Sequence, residues 1–199
     1  MLRSVLLRHV AVFLVTMSAS TLDALDQAAL IALAASSDDA AKLEVRTEPA
    51  GGVRAVATLR LQAAPGIVQA VLTDYAKWPE LFGVHMRLAH LERRDDRVLT
   101  DLYIKHALLP GERRLLCESR ELPDGGLVTT LVAGDFKRYH RTWKLSSDGS
   151  GAVTRAEFEL LVEVDTWAPD WLMAMELRRN LETHFRILKD KVAERSRAQ

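Results

Sequence analysis

A chain of 199 residues with 48% hydrophobic and 27% charged positions is long enough to bury a proper core, and its composition is that of neither a disordered nor a fibrous protein. Its 27 Lys and Arg balance its 27 Asp and Glu, so no overall positive field draws in nucleic acid, which argues against a dedicated nucleic-acid binder. The single cysteine, Cys117, has no partner for an internal disulfide and reads as a small buried hydrophobe.

Arg3 and Arg8 precede the apolar run VAVFLVTM, which is followed by Ser18, Ala19 and Ser20; that order is expected of a secretory signal peptide over residues 1–20. The run falls short of the ~20 residues that span a bilayer. Arg8 and His9 crowd it, and LDALDQAALIALAA has a spacing that also suits an amphipathic helix, so a retained N-terminus stays open beside export to the periplasm or medium. Residues 21–41 read as a short helix and linker, 42–195 as the folded domain and 196–199 as a tail.

The domain opens with LEVRTE, the turn PAGG and VRAVATLRLQ, a hairpin that sets Ala55, Ala57, Leu59 and Leu61 on one face. Pro65 ends the strand and suits the first turn of a helix, and Ile67, Val68, Val71 and Leu72 recur at helical spacing. Pro79 limits that helix and opens a second short one through Leu81 and Phe82. From Val84 to Val164 the pattern becomes period two, interrupted by ERRDD, LPGE, PDGG, GDFK and SDGSG. The strands predicted between these turns are 84–91, 98–106, 113–121, 127–133, 139–145 and 153–164. In the last, Ala156, Phe158, Leu160, Val162 and Val164 form the buried face. Asp170 is positioned to cap a helix running to about Arg195, with Met173, Leu177, Leu181, Phe185, Leu188 and Val192 as its apolar stripe. That stripe needs the concave face of the sheet to cover it. The fold class is α+β: a curved antiparallel sheet wrapped around a long C-terminal helix, with two short helices after the first strand pair.

That order of elements resembles the helix-grip fold of the START-like (SRPBCC) superfamily. VLTDYAKWPELF is similar to a segment of its polyketide cyclase/dehydrase and coenzyme Q-binding branch, and GDFKRYHRTWKL and DTWAPDWL are similar to that branch's closing half. The resemblance covers roughly residues 43–195. It implies a cavity between helix and sheet for an elongated apolar molecule, in a superfamily of lipid carriers, cyclases, ubiquinone chaperones and ribosome-associated proteins.

Within such a cavity Arg141 is the residue to watch, because it shares a strand face with Tyr139, Trp143 and Leu145. A guanidinium on an apolar face needs a partner: a structural carboxylate, a bulge that turns it outward, or the polar head of a ligand. His106 and His90 share the apolar parity of their strands, so each is either a satisfied structural histidine or a titratable cavity group. Phe158, Trp171 and Met175 complete the expected ligand-binding set. Leu108 and Leu109, at a hairpin tip that is normally polar, either pack on a neighbouring loop or form a lip that touches a membrane or gates the cavity. There is no nucleophile elbow, phosphate loop or metal-ligand spacing, so no cofactor, metal or catalytic residue is expected. The preferred reading is a non-enzymatic binding protein of the bacterial envelope for a lipid or quinone-like hydrophobe. Two rivals stand beside it: a cyclase/dehydrase-type enzyme using a cavity histidine, Tyr103 or Asp101, and a cytoplasmic quinone- or ribosome-associated protein.

Overall fold

The structure, a computed structural model, describes residues 41–199 apart from Asp124, Ser150 and Gln199. The expected signal peptide (1–20) and all but Ala41 of the expected short helix and linker (21–41) lie outside the described residues.

β1 (Lys42–Thr47) and β2 (Val53–Leu61) pair antiparallel as the expected hairpin, and Ala55, Ala57, Leu59 and Leu61 are all buried on its inner face. Gly52 closes the turn at φ +81°, where an added Cβ would lie 2.6 Å from the Val162 carbonyl oxygen, so glycine is required there. The chain then leaves the sheet. Helix α1 (Pro65–Leu72) carries its proline in the first turn, one 3-10 turn (Tyr75–Lys77) follows, and α2 (Trp78–Leu81) buries Trp78 and Leu81.

The meander consists of β3 (His85–Arg94), β4 (Arg97–Lys105), β5 (Glu112–Glu121), β6 (Leu127–Gly134), β7 (Phe136–Ser147) and β8 (Thr154–Val164). All strands join one antiparallel sheet in the order β1-β2-β8-β7-β6-β5-β4-β3. Pairing of β8 with β2 brings the meander back to the opening hairpin and leaves β1 and β3 as the edges. Bulges at Leu88/His90, Leu116/Cys117 and Phe136/Arg138 bend the strands and give the sheet its concave face.

GDFK is a tighter break than its composition indicates. The Asp135 carboxylate accepts the Arg114 backbone N–H at 2.7 Å, and Gly134, at φ +127°, packs so close to β5 that a Cβ would meet the Arg114 carbonyl oxygen at 2.3 Å. β7 therefore starts at Phe136, three residues before its expected start.

The long helix α3 (Asp170–Arg197) runs two residues past its expected end. Its N-cap position is Pro169 rather than Asp170, with no side-chain cap; the Leu172 N–H donates to the Pro169 carbonyl at 2.9 Å instead. Leu181, His184, Phe185, Leu188 and Val192 are buried against the sheet. Trp143 and Phe158 meet Phe185 edge-on, with ring centroids 6.0 and 5.2 Å away, and each other at 4.7 Å. This half of the α3–sheet interface is closed core. Among the described residues no helix is long and apolar enough to cross a membrane.

Candidate ligand cavity

The other half of the interface is open. Between the first turns of α3 and the concave sheet lies a cavity of about 180 Å³, room for on the order of ten waters or an elongated apolar group. Its walls are Leu102, Ile104, Leu115, Leu160 and Val162 from the sheet, Met173, Leu177 and Leu181 from α3, and Trp78 and Phe82 from the short helical segment. The rim is polar, with Glu163, Thr166, Asp170 and Glu176.

Arg141 lies inside this cavity and is only 4% exposed. Its guanidinium carbon sits 4.4 Å from the centre of the Trp78 ring and 5.9 Å from that of Phe82. The Trp78 indole is itself held in place, its Nε1–H donating to the Leu72 carbonyl at 2.9 Å. Among the described residues Arg141 makes one side-chain hydrogen bond, a long one from Nη2 to Thr129 Oγ1 at 3.4 Å, and its Nε finds no partner. Neither of the structural fates weighed from the sequence holds: Arg141 is not turned outward, and among the described residues no carboxylate pairs with it. A desolvated cation–π contact offsets roughly 2 kcal/mol, less than the several kcal/mol that burying an ion costs.

The groups around Arg141 are neutral. Burial pushes the Cys117 thiol up to about 12, against the pull of Arg141, so it is an unreactive thiol in the cavity wall. Burial likewise raises the pKa of the Tyr139 phenol, which also lines the cavity. Just behind the wall, burial drives the His184 imidazole down to about 4, while a bond to the Leu81 carbonyl opposes the shift and nearby Arg141 adds to it. His184 Nδ1–H donates to Leu81 O at 2.6 Å, its ring stacks on Phe82 at 4.3 Å, and its Nε2 has no partner among the described residues.

At the rim, His106 closes a bond from the β4–β5 hairpin to α3. Its Nδ1 accepts the Leu108 N–H at 3.2 Å, which assigns the ring proton to Nε2, and Nε2 faces Glu176 Oε1 at 3.2 Å. Thr166 Oγ1 donates to the Leu108 carbonyl and ties the same hairpin to the β8–α3 loop.

Several sequence-predicted positions lie elsewhere. Trp143 and Phe158 share the cavity's face of the sheet but sit under the closed half of α3, where Phe185 fills the space above them. His90 is exposed beside Glu92, because the bulge after Leu88 reverses the parity of β3. Trp171 and Met175 also face solvent, 65% and 57% exposed, since Trp171 is about 200° around the helix from Met173. Leu109 lines the cavity and Leu108 does not. Asp101 and Tyr103 lie on the outer face, Asp101 held by Arg114 at 2.9 Å and Tyr103 beneath the Arg87 guanidinium at 4.4 Å. Tyr139, Arg141 and His106 do meet in one cavity. Glu176, Thr129 and the Trp78–Phe82 cradle were not singled out as site residues. Glu176 lies 70 residues from His106, a separation that carries no local signal.

A family model described as polyketide cyclase/dehydrase and lipid transport matches residues 61–184, more than half of the chain. The chain belongs to that family. The match runs from the end of β2 to the middle of α3 and so takes in most of the cavity wall. Solved structures of the superfamily share the fold. A STAR-related lipid transfer protein from Xanthomonas axonopodis superposes with a TM-score of 0.62 at 16% identity, over 77% of this chain and 93% of that one. An aromatase/cyclase from Streptomyces sp. R1128 gives 0.55 at 11% identity, over 77% and 95%. A START superfamily protein from Mycobacterium smegmatis gives 0.57 at 16% identity, over 71% and 97%. No curated protein matches in sequence. The polyketide cyclase and lipid transport family thus supplies the helix-grip frame, and the residues above are what this chain builds inside it.

Proposed function

We propose that this member of the family is a carrier that holds a hydrophobic amphiphile between sheet and α3 and works in the bacterial envelope. The observation that carries the reading is the apolar cavity with one buried cation inside and a polar rim. Apolar surface transferred there from water contributes ~25 cal/mol per Å², the driving force a carrier needs. The lipid transfer protein of X. axonopodis, alike in fold, supports the same reading. Export is favoured by Arg3 and Arg8 before the apolar run and by Ser18-Ala19-Ser20 after it. Cargo exchange at a membrane surface is favoured by Trp167 and Trp171, 69% and 65% exposed next to the rim, with Leu108 and Leu109 on the facing hairpin.

One experiment tests carriage and export together. The protein is recovered from the periplasmic fraction of its own host and examined by native mass spectrometry. The expected result is a chain starting after Ser20 that carries a bound hydrophobe. An intact Met1 in the cytosolic fraction would sink export, and an empty protein that extracts nothing from a host lipid preparation would sink carriage.

A cyclase-type activity is the second reading, and the His106–Glu176 pair at the rim favours it. Both ring nitrogens of His106 are engaged, so it could act as a base only after the rim opens.

A further inference from the structure

The arginines of the sheet are treated unequally. Arg54 is bound by Glu48 and Glu159, Arg114 by Asp101 at 2.9 Å, and Arg138 by Glu163 at 2.5 Å. These partly exposed cations have counter-charges that water would have made dispensable. Arg141, the buried one, has none among the described residues. The carboxylates that reach the cavity, Glu163, Asp170 and Glu176, stand at its rim. Arg141 is in register with Leu160 on β8, so Glu163 is three residues, roughly 10 Å, nearer the mouth, and it is engaged by Arg138. No neighbour can supply the charge by ionising, because burial holds both the Cys117 thiol and the Tyr139 phenol protonated.

The unpartnered Nε lies on an edge of the guanidinium whose geometry matches the two oxygens of a carboxylate. The ring of Trp78 covers a face and leaves the edges of the fork to hydrogen bonding. From Leu160, opposite Arg141, to Val164, opposite Phe136 at the mouth end, β8 runs four residues, roughly 13 Å, and Phe136, Tyr139, Val162 and Val164 line the cavity over that distance, with Glu163 on its rim.

Resting on the cavity reading above, we propose that Arg141 is a carboxylate site: the ligand is a long-chain monocarboxylate whose head pairs with the Arg141 fork deep in the cavity and whose apolar body extends toward the rim. The ligand completes an ion pair that the protein leaves half built. Cysteine and threonine hydroxyl or thiol groups at Cys117 and Thr129 give the head a polar margin without competing for its charge.

Dodecanoic acid and dodecanol share a chain and differ in the head, so together they isolate the charge. Binding of each is read by displacement of Nile red, a neutral probe, from the full-length protein and from Arg141→Met. The wild-type protein should bind the acid at least tenfold more tightly than the alcohol. Arg141→Met should lose at least tenfold for the acid, leave the alcohol and Nile red within about twofold, and melt no lower than the wild type. Arg141→Lys, which keeps a charge without the fork, should fall between them. Equal wild-type affinity for acid and alcohol, or equal loss of both in Arg141→Met, overturns the carboxylate site while leaving the cavity reading intact. If none of the three compounds binds the wild type, the cavity reading fails and the site with it. If Arg141→Met melts well below the wild type, the wild-type comparison of acid with alcohol decides the proposal without any variant: a preference of tenfold or more for the acid upholds it, and equal affinity overturns it.

Discussion

His184 is where burial meets pH. In the unfolded chain its imidazole titrates near ~6.5, and in the folded protein burial, opposed by the Leu81 carbonyl and seconded by Arg141, lowers that to about 4. Between the two values the unfolded chain holds more protons, so stability rises with pH across that window. The stabilisation is complete above about pH 6.5 and is lost as pH falls toward 4, on the order of 3 kcal/mol in all. Urea denaturation at pH 7 and pH 5 should show the loss in the wild type and a smaller one in His184→Asn. Equal losses in both would assign the acid sensitivity to other groups. None of this was legible in the sequence, where His184 sits in an unremarked stretch of helix; its protonation is set by the depth of a groove that residues 81, 82 and 141 build around it.

Element by element, α3 shows what periodicity can and cannot tell. The stripe of Met173, Leu177, Leu181, Phe185, Leu188 and Val192 was legible from its spacing, and each of these residues faces the sheet. Spacing alone is silent on what lies opposite. Leu188 is 0% exposed in closed core, so Leu188→Ala should cost about 2–5 kcal/mol in denaturant unfolding. Met173 borders a cavity that already exists, so Met173→Ala should cost less than about 1 kcal/mol and change ligand affinity instead. Similar costs at the two positions would mean the cavity half is packed as tightly as the core half. The same blindness explains Trp143 and Phe158, read as cavity residues because parity gives the face but not the neighbour above it. Bulges set a further limit: one inserted residue after Leu88 puts His90 on the wet side, and period-two counting has no way to see it.

At the scale of the whole molecule, the hairpin tip with Leu108 and Leu109, the β8–α3 loop with Trp167 and the first turn of α3 with Trp171 gather at the cavity mouth, joined by the bonds of Thr166 and His106. If cargo is exchanged at a bilayer, the exposed tryptophans should enter it. Replacing both Trp167 and Trp171 with alanine should abolish co-sedimentation with phosphatidylcholine–phosphatidylglycerol vesicles while changing stability by less than about 0.5 kcal/mol, since neither ring packs into the core. Undiminished sedimentation of the double variant would take these residues out of any membrane role.

The sequence by itself determined the class and order of the elements, the helix-grip topology by resemblance, and the inward face of most strands. Those follow from local rules of period, proline and glycine chemistry, and strand alternation, which act within a few residues. Only the tertiary structure decided that half of the α3 stripe covers a cavity, that Glu176 comes to His106 across 70 residues of chain, and that Arg141 finds no carboxylate among the described residues. Such facts depend on how far the sheet curves and where the helix lies across it, and the contacts that set both are between residues distant in sequence.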